Sequence, residues 1–227
     1  MYVIDLTQTL SNEAMSYFPD TEHVKLEMIH TIEKSGFRET LMYMTSHAGT
    51  HIDAPAHVLK GHKMLDEMRP MQFVGTGLVI DCRDVAAGKR IGMEHINQVR
   101  EKADQADFLL FCTGWDRYWG KNEYLGDYPI ITKEVVDYLV EHRKKGVGFD
   151  TLSMDPIADE ELRLHKMLFI KQDGIVMENL TNLDKIGGEL FLLAALPLKY
   201  KHADGAPARV VAILEEEEDD CVNKLMQ

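Results

Sequence analysis

Residues 46–57 read SHAGTHIDAPAH, placing His47, His51, Asp53 and His57 within eleven positions. A spacing of four between His47 and His51 would put both on one face of a helix. The residues between them oppose that reading: Gly49, the β-branched Thr50 and Ile52, and then Pro55 all disfavour helix. In extended chain the odd-numbered positions from His47 to His57 share one face. Positions four apart then lie about 13 Å from each other, and two side chains that each need a bond of about 2 Å to one ion do not meet across that gap. The segment is therefore expected to bend. Gly49 supplies the unusual backbone angle, and Pro55 stiffens the approach to His57. The expected result is a rigid turn that converges His47, His51 and Asp53 on one point.

Imidazole nitrogens and a carboxylate are the donors that zinc, manganese and iron prefer. Three protein ligands around an open position make a catalytic pattern, whereas structural zinc sites are closed by four. An ion in an open site lowers the pKa of bound water to about 7 and polarises a carbonyl. His57 lies just past the three donors, and an imidazole pKa of about 6.5 suits proton transfer at neutral pH. Spacing leaves two jobs open for His57, proton shuttle or fourth ligand. A metal-binding protein without turnover is the alternative from another class, distinguished by a closed site. No G-x-S-x-G elbow occurs, which removes a serine hydrolase, and no G-x-G-x-x-G follows a strand.

Outward from this segment, short β-rich stretches predict strands over 2–6, 24–31 and 39–45. The continuous apolar runs 77–82 and 107–112 read as buried strands, with further strands expected over 147–150, 174–177, 189–196 and 208–214. Met93, Ile96 and Val99 stand at helical spacing within 92–105. A second helix is expected from an N-cap at Thr132 to Lys145, stopped by Gly146. Its apolar face would carry Val135, Val136, Leu139 and Val140, with Arg143, Lys144 and Lys145 near its C-terminal dipole. Many strands and few helices point to a mixed α/β fold.

The 227 residues suit one sizeable core better than two domains. No repeat or linker divides them, so a single domain over 1–214 with an acidic tail over 215–227 is expected. The net charge of -13, six acids of it in the run 215–220, argues against nucleic acid or an anionic membrane as partner. Three cysteines without metal-like spacing favour a reducing compartment. There is neither a leader-like N-terminus nor an apolar run of about 18 residues, so a cytoplasmic protein is expected.

The pattern H-x-G-T-H-x-D-x-P-x-H, carried by His47, Gly49, Thr50, His51, Asp53, Pro55 and His57, resembles the signature of the cyclase-like metal-dependent hydrolases. That family includes bacterial kynurenine formamidases and isatin hydrolases. The opening IDLTQTL, Asp150 with the SMDP stretch, His165, MENLTNLDKI and LPLKYKHADGAPAR fall in the family's order. The resemblance implies an α/β fold of the swivelling β/β/α type, a mixed sheet core with flanking helices, assembled as a homodimer or homotetramer. It implies two divalent ions, Zn2+ first and Mn2+ as alternative. His47, His51 and Asp53 would hold one and His165 and Glu178 the other, with Asp53 and Glu178 bridging. It makes His57 the proton donor and acceptor. The implied substrate is an activated amide such as N-formylkynurenine, with a cyclic amide of the isatin kind or a lactone as alternative. The family's Trp-Pro-Gly-Asp loop is replaced here by Phe18, Pro19 and Asp20, so Phe18 is the candidate substrate-binding residue, with plain packing as its other reading.

Overall fold

The computed structural model describes residues 1–12 and 24–215, so Phe18 and residues 216–227 of the tail lie outside the described residues. The strands are β1 (Tyr2–Asp5), β2 (Lys25–His30), β3 (Glu39–Tyr43), β4 (His51–Asp53), β5 (Val74–Asp81), β6 (Arg90–Ile91), β7 (Phe108–Cys112), β8 (Ile130–Ile131), β9 (Gly146–Phe149), β10 (Ile175–Glu178), β11 (Phe191–Pro197) and β12 (Gly205–Leu214). The helices are α1 (Ile32–Ser35), α2 (Met93–Gln98), α3 (Arg100–Gln105), α4 (Lys133–Glu141) and α5 (Arg163–Lys171).

Eight strands form one mixed sheet in the order β1-β12-β11-β5-β7-β9-β10-β4. The run β5-β7-β9-β10 is parallel, and the remaining pairings are antiparallel. Strand β4 pairs with β10 and also with the start of β12, so the sheet closes on itself. Period-two alternation then builds two cores. Val79, Phe108, Leu110, Ile175, Met177 and Ile52 point to the inside. Leu78, Ile80, Leu109, Phe111 and Val176 point outward against α2 to α5. Each apolar side chain fully buried this way contributes roughly 1.5–3 kcal/mol.

Helices α2 to α5 connect the parallel strands and cover their outer face, as parallel sheets require. Here two expectations are corrected. The helix over 92–105 is broken at Val99, whose φ of -126° and ψ of 27° separate α2 from α3. The helix from Thr132 stops at Glu141, because Arg143 takes a left-handed φ of 49°. Gly146 opens β9 and does not cap a helix. The basic triplet serves other elements. Buried Lys144 donates to the carbonyls of Ala103, Asp104 and Ala106, so it caps α3 and not its own helix. Lys145 pairs with Asp107 at 3.2 Å.

Beyond β9, Asp150 fixes the turn after β7. Its carboxyl accepts from the backbone N–H of Thr113 and Gly114 at 2.9 and 2.7 Å and contacts the Thr113 hydroxyl at 2.5 Å. Complete burial pushes Asp150 up to about 7, against the pull of these donors. Its folded value thus exceeds the ordinary 3.8, so the folded state binds more protons between the two. The stability this residue contributes is fully present below the lower value and is lost as pH rises through the upper one. Urea midpoints measured from pH 4 to 7 are expected to decline less steeply in Asp150→Asn than in the parent chain; equal slopes would refute the assignment.

Candidate metal centre

Strand register assembles the site. Glu178 lies directly opposite His51 across the β10–β4 pair, and Val176 opposite Asp53. Since Ile52 faces the inner core, His51 and Asp53 must face outward, on the same side as Glu178. Helix α5 crosses this side and lowers His165 onto it. Burial is nearly complete: 3% of His51, 1% of Asp53, 2% of His165 and 4% of Glu178 remain exposed.

His47 arrives from the expected bend. Gly49 has a φ of +62°, and a Cβ there would strike Leu10, so both backbone and space demand glycine. On the opposing strand, a Cβ on Gly205 would run into the His47 ring. Thr50 pins the bend, donating its hydroxyl to the Asn179 carbonyl at 2.6 Å and accepting from Gln8 N–H at 2.8 Å. Asn179 in turn donates to the Gly49 carbonyl at 2.9 Å.

The ring nitrogens have defined roles. His51 Nδ1 lies 2.9 Å from the Gly49 carbonyl, which only accepts, so Nδ1 carries the proton. His165 Nδ1 donates in the same way to Asp155 at 2.6 Å. Both rings therefore aim Nε2 into the centre. His51 Nε2 is 3.3 Å from Asp53 Oδ1 and 3.5 Å from Glu178 Oε2. His165 Nε2 is 3.3 Å from Asp53 Oδ2 and 3.4 Å from Glu178 Oε1. Each carboxylate thus offers one oxygen to each imidazole. The separations exceed the 2.7–2.9 Å or so of a charge-assisted N–H···O bond. They match the spacing of about 3.4 Å between donors sharing one tetrahedral ion at about 2.1 Å.

Electrostatics point the same way. Burial pushes Asp53 up, but His51 and His47 outweigh it and hold the carboxyl well below its usual range. Burial and Asp53 likewise oppose ionisation of Glu178, yet His165 and His51 bring it down to about 2. Burial disfavours the His51 cation, and the Asp53 and Glu178 carboxylates overcome this and raise it to about 10. The centre calls for positive charge between its carboxylates and imidazoles, and the donor atoms of two triads, His47–His51–Asp53 and Asp53–His165–Glu178, lie within 4.8 Å of one another.

His57 lies at the edge of this network, in a third group of close donor atoms with His47 and Asp204. It is half-buried in the short turn Pro55–His57, its ring centroid 4.0 Å from that of His47. Its nearest carboxylate is Asp204, with Nδ1 3.8 Å away, and burial draws its pKa below the ordinary value. Asp204, Asp155 and Asn179 received no role from the sequence. Asp204 accepts from His47 Nε2 at 3.0 Å, opposite the 2.6 Å contact of Nδ1 with Asp53. The only local sign of these residues was their place in the HADG, SMDP and MENL stretches. The centre opens into a cavity of about 670 Å³ whose walls include Val24, Trp119, Leu152, Ile157 and Leu162.

A family model described as putative cyclase matches residues 4–156. The chain is 31% identical over 210 residues to a kynurenine formamidase of Bacillus cytotoxicus, covering 92% of this chain and 95% of the relative. Its fold superposes on isatin hydrolase A from Labrenzia aggregata bound to benzyl benzoate, with a TM-score of 0.82 and 25% identity, covering 95% and 94% of the two chains. It also superposes on a potential metal-dependent hydrolase with cyclase activity, at a TM-score of 0.76 and 26% identity, covering 95% and 99%.

Asp155 joins the centre to the fold, because besides orienting His165 it accepts from the backbone N–H of Leu164 and His165 at 2.7 and 3.0 Å. It therefore caps the start of α5 from outside the helix. Asp155→Ala leaves those buried donors unpaired and is expected to cost about 1–3 kcal/mol. Chemical denaturation should read this as a lower midpoint at unchanged m-value.

Proposed function

This chain belongs to the putative-cyclase family, and from that premise we propose that it is a metal-dependent hydrolase of activated aryl amides, of the arylformamidase kind. The observation that carries the proposal is the interleaving of the Asp53 and Glu178 carboxylates with two imidazoles whose Nε2 atoms face inward. The same carboxylates raise the affinity of the His51 and His165 rings for positive charge at Nε2, a place that a divalent cation would take over. The donor set fits two divalent ions: His47, His51 and Asp53 would hold one, and His165 and Glu178 the other. Nitrogen and carboxylate donors of this kind favour Zn2+, with Mn2+ next. Gly49 and Asp155, accepting from the outer nitrogens of His51 and His165, are the second-layer partners such ligands require.

When bound, the ions supply Lewis acidity, polarising the scissile carbonyl and making water nucleophilic near neutral pH. The chain's own groups do the rest. His57, on the cavity wall and facing Asp204 and not the Asp53–Glu178 pair, accepts the proton released as water oxygen bonds to the carbonyl carbon. It returns that proton to the nitrogen as the C–N bond breaks, giving a carboxylic acid and an aryl amine. The apolar wall holds the ring and excludes bulk water. Likeness to isatin hydrolase A supports a second substrate, a cyclic aryl amide opened by the same steps.

Thorough chelation is expected to abolish hydrolysis of formanilides and isatins, and Zn2+ or Mn2+ to restore it, with elemental analysis reading about two ions per chain. Activity that survives complete metal removal rejects the proposal. His57→Ala should retain both ions while kcat falls about 10²–10⁴-fold; loss of metal instead would make His57 a ligand.

A further inference from the structure

Beyond the donor set, the cavity carries a charge pattern that bears on which aryl amide it accepts. Its lining contains no Lys or Arg among the described residues. Two acids, Asp159 and Glu160, stand in the lining outside the metal centre. The nearest guanidinium in sequence, Arg163, is absent from the lining and is engaged with Glu161 at 3.2 Å and Asp159 at 3.8 Å. Glu160 is exposed, and no described cation pairs with it.

A carboxylate entering an apolar-walled cavity loses hydration and needs a cationic partner in return. Here it would meet Glu160, with Asp159 already facing Arg163. The one place that offers positive charge is the imidazole centre, where a carboxylate would occupy the position of the scissile carbonyl. An uncharged ring meets no such cost, and an ammonium group gains Glu160.

We propose that this cavity selects aryl amides whose non-reacting end is uncharged or carries an ammonium group, and rejects those bearing a carboxylate there. This deepens the amide-hydrolase reading and rests on it. The test is kcat/KM of the zinc-loaded enzyme at low ionic strength for four formyl aryl amines. These are formanilide, its ortho-carboxylate, an ortho-aminoalkyl-ketone derivative, and that derivative with an added α-carboxylate. Formanilide and the ammonium-bearing derivative are expected to exceed their carboxylate-bearing counterparts at least about tenfold. Glu160→Lys should narrow that gap by raising the carboxylate-bearing pair relative to formanilide and the ammonium-bearing derivative. Glu160→Gln should narrow it less. Carboxylate-bearing substrates that match or exceed their counterparts, or a gap indifferent to Glu160→Lys, overturn the inference. Calorimetric affinities of the four product amines read the same preference without turnover. If none of the four amides is hydrolysed, the amide-hydrolase reading falls, and the affinities alone then decide: carboxylate-bearing amines that bind as tightly as their counterparts refute the charge preference.

Discussion

Two carboxylates buried beside each other are the constraint on which the site is built. Asp53 and Glu178 sit on paired strands, each almost wholly removed from water. Burying an isolated carboxylate costs several kcal/mol even after relaxation, and neighbouring like charges add to it. Left unbalanced, such a pair would protonate or pull the strands apart. The chain surrounds them with imidazoles whose outer nitrogens are already committed, to the Gly49 carbonyl for His51 and to Asp155 for His165. Only the inner nitrogens remain to face the acids. The fold thus spends its balancing charge at one place and orients every donor toward it.

Closure of the sheet makes that place available. Strand β4 is three residues long, yet it joins β10 to β12 and completes the ring. Its central residue Ile52 anchors it in the inner core, with its neighbours His51 and Asp53 turned to the opposite face. The parallel strands β9 and β10 end beside the site, where ligands of open α/β sheets also gather because the connections diverge there. Residues just past those ends, Leu152, Ser153 and Asn179, line the cavity.

Much of this architecture was legible in the chain itself. The runs 77–82 and 107–112 read as buried strands because their apolar residues are continuous, which is what burial on both faces demands. The bend at Gly49 followed from the impossibility of meeting across an extended segment. Other features were hidden because they depend on distant partners. Strand β4 is too short to show a period. Helix α5 has Leu162 in a left-handed conformation at its start and takes its cap from Asp155, so no local cap announces it. His165 and Glu178 entered only through family resemblance, since the pairing of Glu178 with His51 is a matter of register. The helix 132–145 was overextended because its basic triplet matches a C-terminal turn, and nothing local shows that Lys144 serves α3.

The orienting bonds have a consequence for how the centre relates to stability. In small zinc domains the ligands gather only around the ion, so binding and folding are one event. Here each candidate imidazole ligand is held by a group outside the proposed donor set: His51 by the Gly49 carbonyl, His165 by Asp155, His47 by Asp204, and the bend itself by Thr50 and Asn179. Two closed-sheet strands and a capped helix position these side chains through bonds that do not involve the proposed ions. An ion entering such a centre meets little reorganisation cost, and its binding energy goes into charge balance and not into ordering the backbone. Fold and catalytic chemistry are then separable demands on the sequence, joined at Asp155 and at the glycines that let His47 approach.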